Sequence, residues 1–146
     1  MHEPLPVKEF LDELDTQWNA SNVSEPKIIE VTGSTNDPLR FNLNMGDAVF
    51  GRAGSPALEE TPIGNWTYGN RIYNLELELY TNSGRQRLYD IVKEIRRICH
   101  ARMHSLTNFQ RSRFVSFQEM TQQQVNVWSG LINIQLENSA ILLETT

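Results

Sequence analysis

The sequence predicts an α+β fold, a largely antiparallel sheet of four to five strands with two helices packed on one face. Three observations carry this. Between Arg71 and Thr81, the apolar residues Tyr73, Leu75, Leu77 and Leu79 alternate with Asn74, Glu76, Glu78 and Tyr80, the period of two that marks a half-buried strand. The turn Asn82 to Gly84 breaks that pattern, and Arg85 to Met103 then places its apolar residues at a helical period of about 3.6, as an amphipathic helix does. Lastly, the strand-like stretches follow one another without a helix between each pair, which favours antiparallel neighbours over βαβ units.

The elements follow in order. Pro6 stands at a helix start, and Val7, Phe10, Leu11, Leu14 and Trp18 recur at helical spacing opposite Lys8, Glu9, Asp12, Glu13 and Asp15. The polar cluster Asn19 to Ser24 ends that helix. Pro26 precedes a short strand, Lys27 to Thr32, and Asp47 to Phe50 reads as a second. Gly51 to Asn70 holds four of the eight glycines and two of the six prolines. It is expected to be a long flexible loop, or an arm that orders against a neighbouring subunit with Trp66 and Tyr68 as anchors. The main strand at 71–81 would span roughly 36 Å, about twice the common length. The second helix, 84–103, buries Leu88, Ile91, Val92, Ile95, Ile98, Cys99 and Met103 and turns Lys93, Arg96, Arg97 and His100 outward. Arg113 to Met120 is a strand in which Phe114 alternates against Val115 and Phe117, and Thr121 to Gln124 read as a turn. The closing strand, 125–137, sets Trp128, Ile132, Ile134 and Leu136 on one face.

A chain of 146 residues fits one domain, 1–146, with a substantial core. No apolar run approaches the roughly 20 residues of a transmembrane helix, so no membrane partner is expected. The acidic N-terminal stretch does not read as a secretory signal. The single cysteine, Cys99, excludes an internal disulfide. Sequons at Asn19, Asn22 and Asn65 read as chance matches in an Asn-rich chain.

The net charge of −5 conceals a segregation. Gly84 to Arg113 holds eight basic residues against Asp90 and Glu94, a local charge of +6, which leaves −11 for the rest of the chain. Such a chain is suited to touching a polyanion or copies of itself.

No catalytic pattern accompanies this architecture. His100 and His104 share the i, i+4 spacing of a metal face, yet no third ligand and no intervening glutamate is present, and both read as structural. The pairs Glu59–Glu60 and Glu76/Glu78 do not converge across a cleft, and the latter lies on a solvent face. Ser55 lacks a strand-to-helix elbow, and Gly51, Gly54 and Gly64 are not followed by Gly-Lys-Ser/Thr. Enzyme activity is not expected, nor is any cofactor or metal. The basic helix has three readings: a solvated face, contact with a nucleic-acid backbone, or contact with an acidic surface of another protein copy. With only Tyr89 among its arginines to stack on bases, protein contact is the favoured one. The residues singled out for partner contact are Trp66, Tyr68, Arg85, Arg96 and Arg97.

The helix ending in LDTQWNASNVSEPKIIEV, the GDAVF strand, the YNLELELYTNSGRQRLYDIVKEIRRIC strand-turn-helix and the closing RFVSFQEM and VNVWSGLINIQLE pair together resemble the tail terminator, or tail-completion, proteins of tailed phages and related archaeal tailed viruses. The resemblance runs from about Leu5 to Glu137. It implies a non-enzymatic virion protein of the tail or neck, assembled in the host cytoplasm. It also implies a homo-oligomeric, typically hexameric, ring that ends tail-tube polymerisation and joins the tail to the head connector. Its partners would be the tail tube protein and a head-side connector or adaptor protein, with non-specific contact to genomic DNA in the channel. A head-tail adaptor or neck protein is the neighbouring reading. A small nucleic-acid-binding α+β protein using helix 84–103 is the reading from a different class.

Overall fold

Two helices and five strands follow one another along the chain: α1 Pro6–Gln17, β1 Lys27–Glu30, β2 Ala48–Ile63, β3 Tyr68–Thr81, α2 Arg85–Ala101, β4 Arg111–Glu119 and β5 Trp128–Ile141. The computed structural model describes residues 5–31, 46–63, 68–101, 106–120 and 126–141. The strands form one sheet in the order β1-β2-β3-β5-β4. The α+β class is as expected, with one refinement: the sheet is mixed, because β1 lies parallel to β2 (Lys27 opposite Ala48, Glu30 opposite Gly51), while the other three pairings are antiparallel.

The alternation in β3 sets the core. Tyr73, Leu75, Leu77 and Leu79 are buried, and their neighbours across the ladder are Leu136, Ile134 and Ile132 from β5 and Val49 from β2. Both helices cover this face. α1 supplies Phe10, Leu11 and Leu14, and α2 supplies Leu88, Ile91, Val92, Ile95, Ile98 and Cys99. Each fully buried Leu or Ile here stabilises the fold by about 1.5–3 kcal/mol through apolar area removed from water. Pro6 occupies the first turn of α1, where its missing N–H costs nothing. α2 starts just after Gly84, whose φ of +100° suits glycine. The turn before it is tied down by the Ser83 N–H donating to Thr81 Oγ1, and that hydroxyl donates to Asp47 Oδ1.

The expected loop at Gly51–Asn70 is corrected by the structure. Residues 51–63 belong to β2 and 68–70 to β3, and the two form a hairpin whose register runs on through Glu60 opposite Arg71 to Ile63 opposite Tyr68. The Gly and Pro content that reads as a loop marks something else. Pro56 lies inside a register irregularity between Ala53 and Leu58, a place where a residue without a donor is tolerated. Gly54 and Gly51 give room for close approach: a Cβ would fall 2.9 Å from Asn74 Cβ at the first and 2.7 Å from Leu11 Cδ1 at the second. Asn74 Nδ2 then clasps the irregularity by donating to Pro56 O and Glu59 Oε2.

Other boundaries shift by a few residues. β4 also departs from simple alternation, because a bulge between Phe114 and Ser116 brings Phe114 and Phe117 to the same side, against the core. The segment 121–124, read from sequence as a turn, lies outside the described residues, as does 125, read as the first residue of the closing strand. Since β4 begins opposite Glu137 whereas β5 continues to Ile141, the far ends of β2, β3 and β5 form a three-stranded arm beyond the helix-covered part of the sheet. No helix among the described residues is long and apolar enough to cross a membrane.

Candidate functional site

The basic run divides between two sides of α2. At 100° per residue, Arg87, Glu94 and Arg97 fall on one flank of the apolar stripe, and Arg85, Tyr89 and Arg96 on the other. The first flank faces α1 and the start of β2. Arg87 Nε donates to Asp47 Oδ2 at 2.6 Å and its Nη2 to Ser24 O at 2.7 Å. Arg97 donates twice to Glu94 (2.8 and 2.7 Å) and to Gln17 O at the end of α1. Glu94 is only 2% exposed, and it also accepts the Asn19 N–H at 2.8 Å. The hydrogen bonds from Arg97 hold the Glu94 carboxyl below its usual range despite burial, and the same contact raises Arg97. Glu94 thus ties α2 to the end of α1 as a buried acid, a role that helical periodicity marks only as a charged residue on the edge of the stripe.

The second flank faces β4. Arg85 donates to Glu119 Oε2 at 3.0 Å, and its guanidinium lies 5.7 Å from the centre of the Tyr89 ring. Tyr89 donates to the same carboxylate at 2.8 Å and packs edge-on against Phe117. Hydrogen bonds from Tyr89 and Arg85 hold Glu119 below its usual range. Lys93 and Arg96 are exposed, as are Arg111 and Arg113 on β4. None of the four makes an ion pair among the described residues.

Of the two aromatic anchors expected at 51–70, Trp66 lies outside the described residues. Tyr68 opens β3 at the end of the arm, 54% exposed, with Leu58 of β2 also exposed. The structure therefore separates the singled-out residues. Arg85 and Arg96 share the β4 flank, Arg97 is engaged on the α1 flank, and Tyr68 stands on the arm.

The sheet face without helices is polar. Arg52 bridges Glu78 at 3.1 Å and Glu76 at 3.8 Å, and Gln135 donates to Asn74. A shallow cleft of about 350 Å³ lies there, lined by Gly54, Pro56, Glu59, Asn74 and Val115. A larger one of about 510 Å³ runs between α1 and β1, lined by Lys8, Asp12, Asp15, Glu25, Lys27 and Glu30. Glu25 shares a hydrogen bond with Asp15, which together with partial burial and like charge pushes its carboxyl up to about 7. Of the histidine pair read from sequence, His100 is exposed and His104 lies outside the described residues. Cys99 is buried, which pushes its thiol up and away from nucleophilic reactivity. Among the described residues no three His, Cys, Asp or Glu side chains group to hold a metal.

No protein-family model matches the sequence, and no curated protein does. The fold does match solved structures. One is a chain from the virion of a native gene transfer agent (GTA) particle, at a TM-score of 0.59 and 9% identity, covering 90% of this chain and 92% of that one. At that identity the two chains share a fold.

Proposed function

We propose that this chain is a structural protein of a phage-like virion and, more specifically, a tail-terminator-like subunit. In this reading it forms a ring at the head-proximal end of the tail tube, ends tube polymerisation and joins the tail to the head-side connector. The observation that carries the reading is the end-to-end correspondence of its fold with a chain from a GTA virion, over 90% of one chain and 92% of the other. The arm and the segregated charges support it, since both are means for one subunit to hold another. The partners would be further copies of the chain, the tail tube protein and a connector or adaptor. The protein would be built into the tail or neck of the particle, and a head-tail adaptor is the neighbouring role.

Light scattering coupled to size exclusion, with negative-stain imaging, tests the reading. A discrete, hexameric ring with a central hole is the expected result, and adding it to polymerising tube protein should cap growing tubes. A persistent monomer that leaves tube length unchanged would overturn the terminator role. A second reading, contact with a DNA backbone, is favoured by the exposed Lys93, Arg96, Arg111 and Arg113. Binding through several such contacts would weaken steeply with salt.

A further inference from the structure

Four cations that form no ion pair among the described residues lie on two sides of one edge of the molecule. Lys93 and Arg96 are exposed on α2. Arg96 falls on the flank beside β4, and Lys93 about 60° further round toward the outer surface of the helix. Arg111 and Arg113 are exposed on β4, the last strand in the sheet order. They flank Ser112, whose Oγ donates to Cys99 O of α2. Because side chains alternate along a strand, both arginines project from the other, helix-free face. Two acids stand beside this set: Glu137, opposite Arg111 in register, and Asp90, which accepts a hydrogen bond from Gln86. Four cations against two acids leave the edge with a surplus of positive charge.

The surface around these cations suits a nucleic acid better than a protein. The exposed side chains among them are polar, His100 on α2 and Ser116 and Gln118 on β4. Val115, 40% exposed, is the apolar one, and it borders the cleft on the helix-free face. A protein interface centres on a larger apolar patch, whereas a nucleic-acid interface is polar and positively charged. The neighbouring aromatic, Tyr89, is already engaged: it donates to Glu119, meets Phe117 edge-on and lies under the Arg85 guanidinium. A ring so occupied is a poor platform for base stacking, on which single-strand binders depend. We infer that the β4 edge seats in a groove of duplex DNA, with Lys93 and Arg96 on the phosphates of one strand and Arg111 and Arg113 on those of the other. The two pairs belong to helix and sheet layers roughly 10 Å apart. The major groove is about 12 Å wide, so long side chains reach both walls from one ridge. Such contacts hold the backbone and carry no sequence preference. This deepens the DNA-backbone reading given above and rests on it, independently of the ring.

Fluorescence anisotropy with two labelled duplexes of unrelated sequence, one of their single strands, and poly-glutamate as a competitor tests this. Both duplexes should bind equally well, and more tightly than the single strand. The logarithm of the binding constant should fall with log salt at a slope of about −3.6, for four phosphates at about 0.9 each. Lys93→Gln with Arg96→Gln should halve that slope, and so should Arg111→Gln with Arg113→Gln, because each pair gives up two phosphates. Circular dichroism checks that both variants are folded. Lys27→Gln, at an exposed position on the opposite edge, should change nothing. A slope that falls for one pair alone would overturn the two-walled seating and leave a contact with one strand. Equal affinity for duplex and single strand would overturn it too, with the backbone reading intact. Poly-glutamate that displaces the duplex as well as unlabelled duplex does would assign the edge to an acidic protein instead. No binding of duplex by the parent at low salt overturns the seating and the backbone reading together, and a ring seen by imaging would stand regardless.

Discussion

The flank of α2 that faces α1 and the flank that faces β4 hold two arginines each, in opposite circumstances. On the α1 side, Arg87 and Arg97 are both used inside the chain, reaching Asp47, Ser24 O, Glu94 and Gln17 O. On the β4 side, Arg85 spends itself on an exposed contact with Glu119, and Arg96 has no ion-pair partner among the described residues. A run of basic residues is therefore two things at once. One flank fastens the helix to the rest of the fold, and the other turns its cations toward solvent. The dividing line is set by helical geometry, since adjacent residues such as Arg96 and Arg97 are 100° apart.

The largest expected difference is between those two neighbours. Arg97→Ala removes the cation that faces Glu94 and leaves a buried carboxylate with the Asn19 N–H as its remaining partner. Breaking a buried pair from one side costs several kcal/mol, and the exposed outer half of Arg97 moderates this, so a loss of about 2 kcal/mol is expected in urea denaturation. Arg96→Ala should stay within about 0.5 kcal/mol, as surface changes do. Equal losses from both would erase the distinction between the flanks. Combining Arg97→Ala with Glu94→Gln should recover part of the loss, because the uncompensated charge is then gone.

Arg87→Ala comes next. Its side chain and that of Asp47 are mostly buried, at 15% and 14% exposure, and the contact joins the start of α2 to the start of β2. A loss of about 1–2 kcal/mol is expected by the same measurement, in line with a charge-assisted hydrogen bond. Arg85→Ala, its counterpart on the exposed flank, should leave the denaturation midpoint unchanged. A large loss there would mean that the Arg85–Tyr89–Glu119 contact is structural after all.

Local periodicity made one part of this legible and topology hid the rest. The alternation at Tyr73–Leu79 and the stripe Leu88–Cys99 each report burial directly, because each repeats with the geometry of its own element. They place both helices on one face. The pairing of 51–63 with β3 was invisible for a physical reason: its ladder lies with a strand further along the chain, and Gly51 and Gly54 make room for Leu11 and Asn74, neither of which a local reading can see. The parallel β1–β2 pairing is likewise non-local, and so is the bulge that turns Phe117 inward. For the candidate site, the excess of basic charge on the second helix could be read, together with Arg96 as an outward residue. The burial of Glu94 and the inward use of Arg97 could not, since both depend on the end of α1 arriving beside them. Exposed Tyr89, Val115 and Met120 carry no signal in sequence, as each would equally suit a core.

The smallest expected effect separates the two acids that bracket α1. Glu94 titrates below its ordinary value because Arg97 favours its charged form. Its contribution to stability is present above the ordinary carboxylate range and is lost as pH falls through its lowered value. Glu25 behaves in the opposite sense. Its ordinary value near 4.5 is raised to about 7 by the hydrogen bond with Asp15, by burial and by like charge, so its contribution is full below the ordinary value and disappears as pH rises through 7. Asp15 is its hydrogen-bond partner, and Lys8, Asp12, Lys27 and Glu30 line the same cleft, with Arg87 donating to the neighbouring Ser24 O. Since Glu25 and Asp15 are both exposed, screening keeps the effect small. Glu25→Gln should therefore raise the denaturation midpoint slightly at pH 8, where the parent holds two carboxylates side by side, and leave it unchanged or slightly lowered at pH 5.5. A gain of the same size at both pH values would show that the glutamine acts through packing, and the shared proton would no longer be needed to describe this edge.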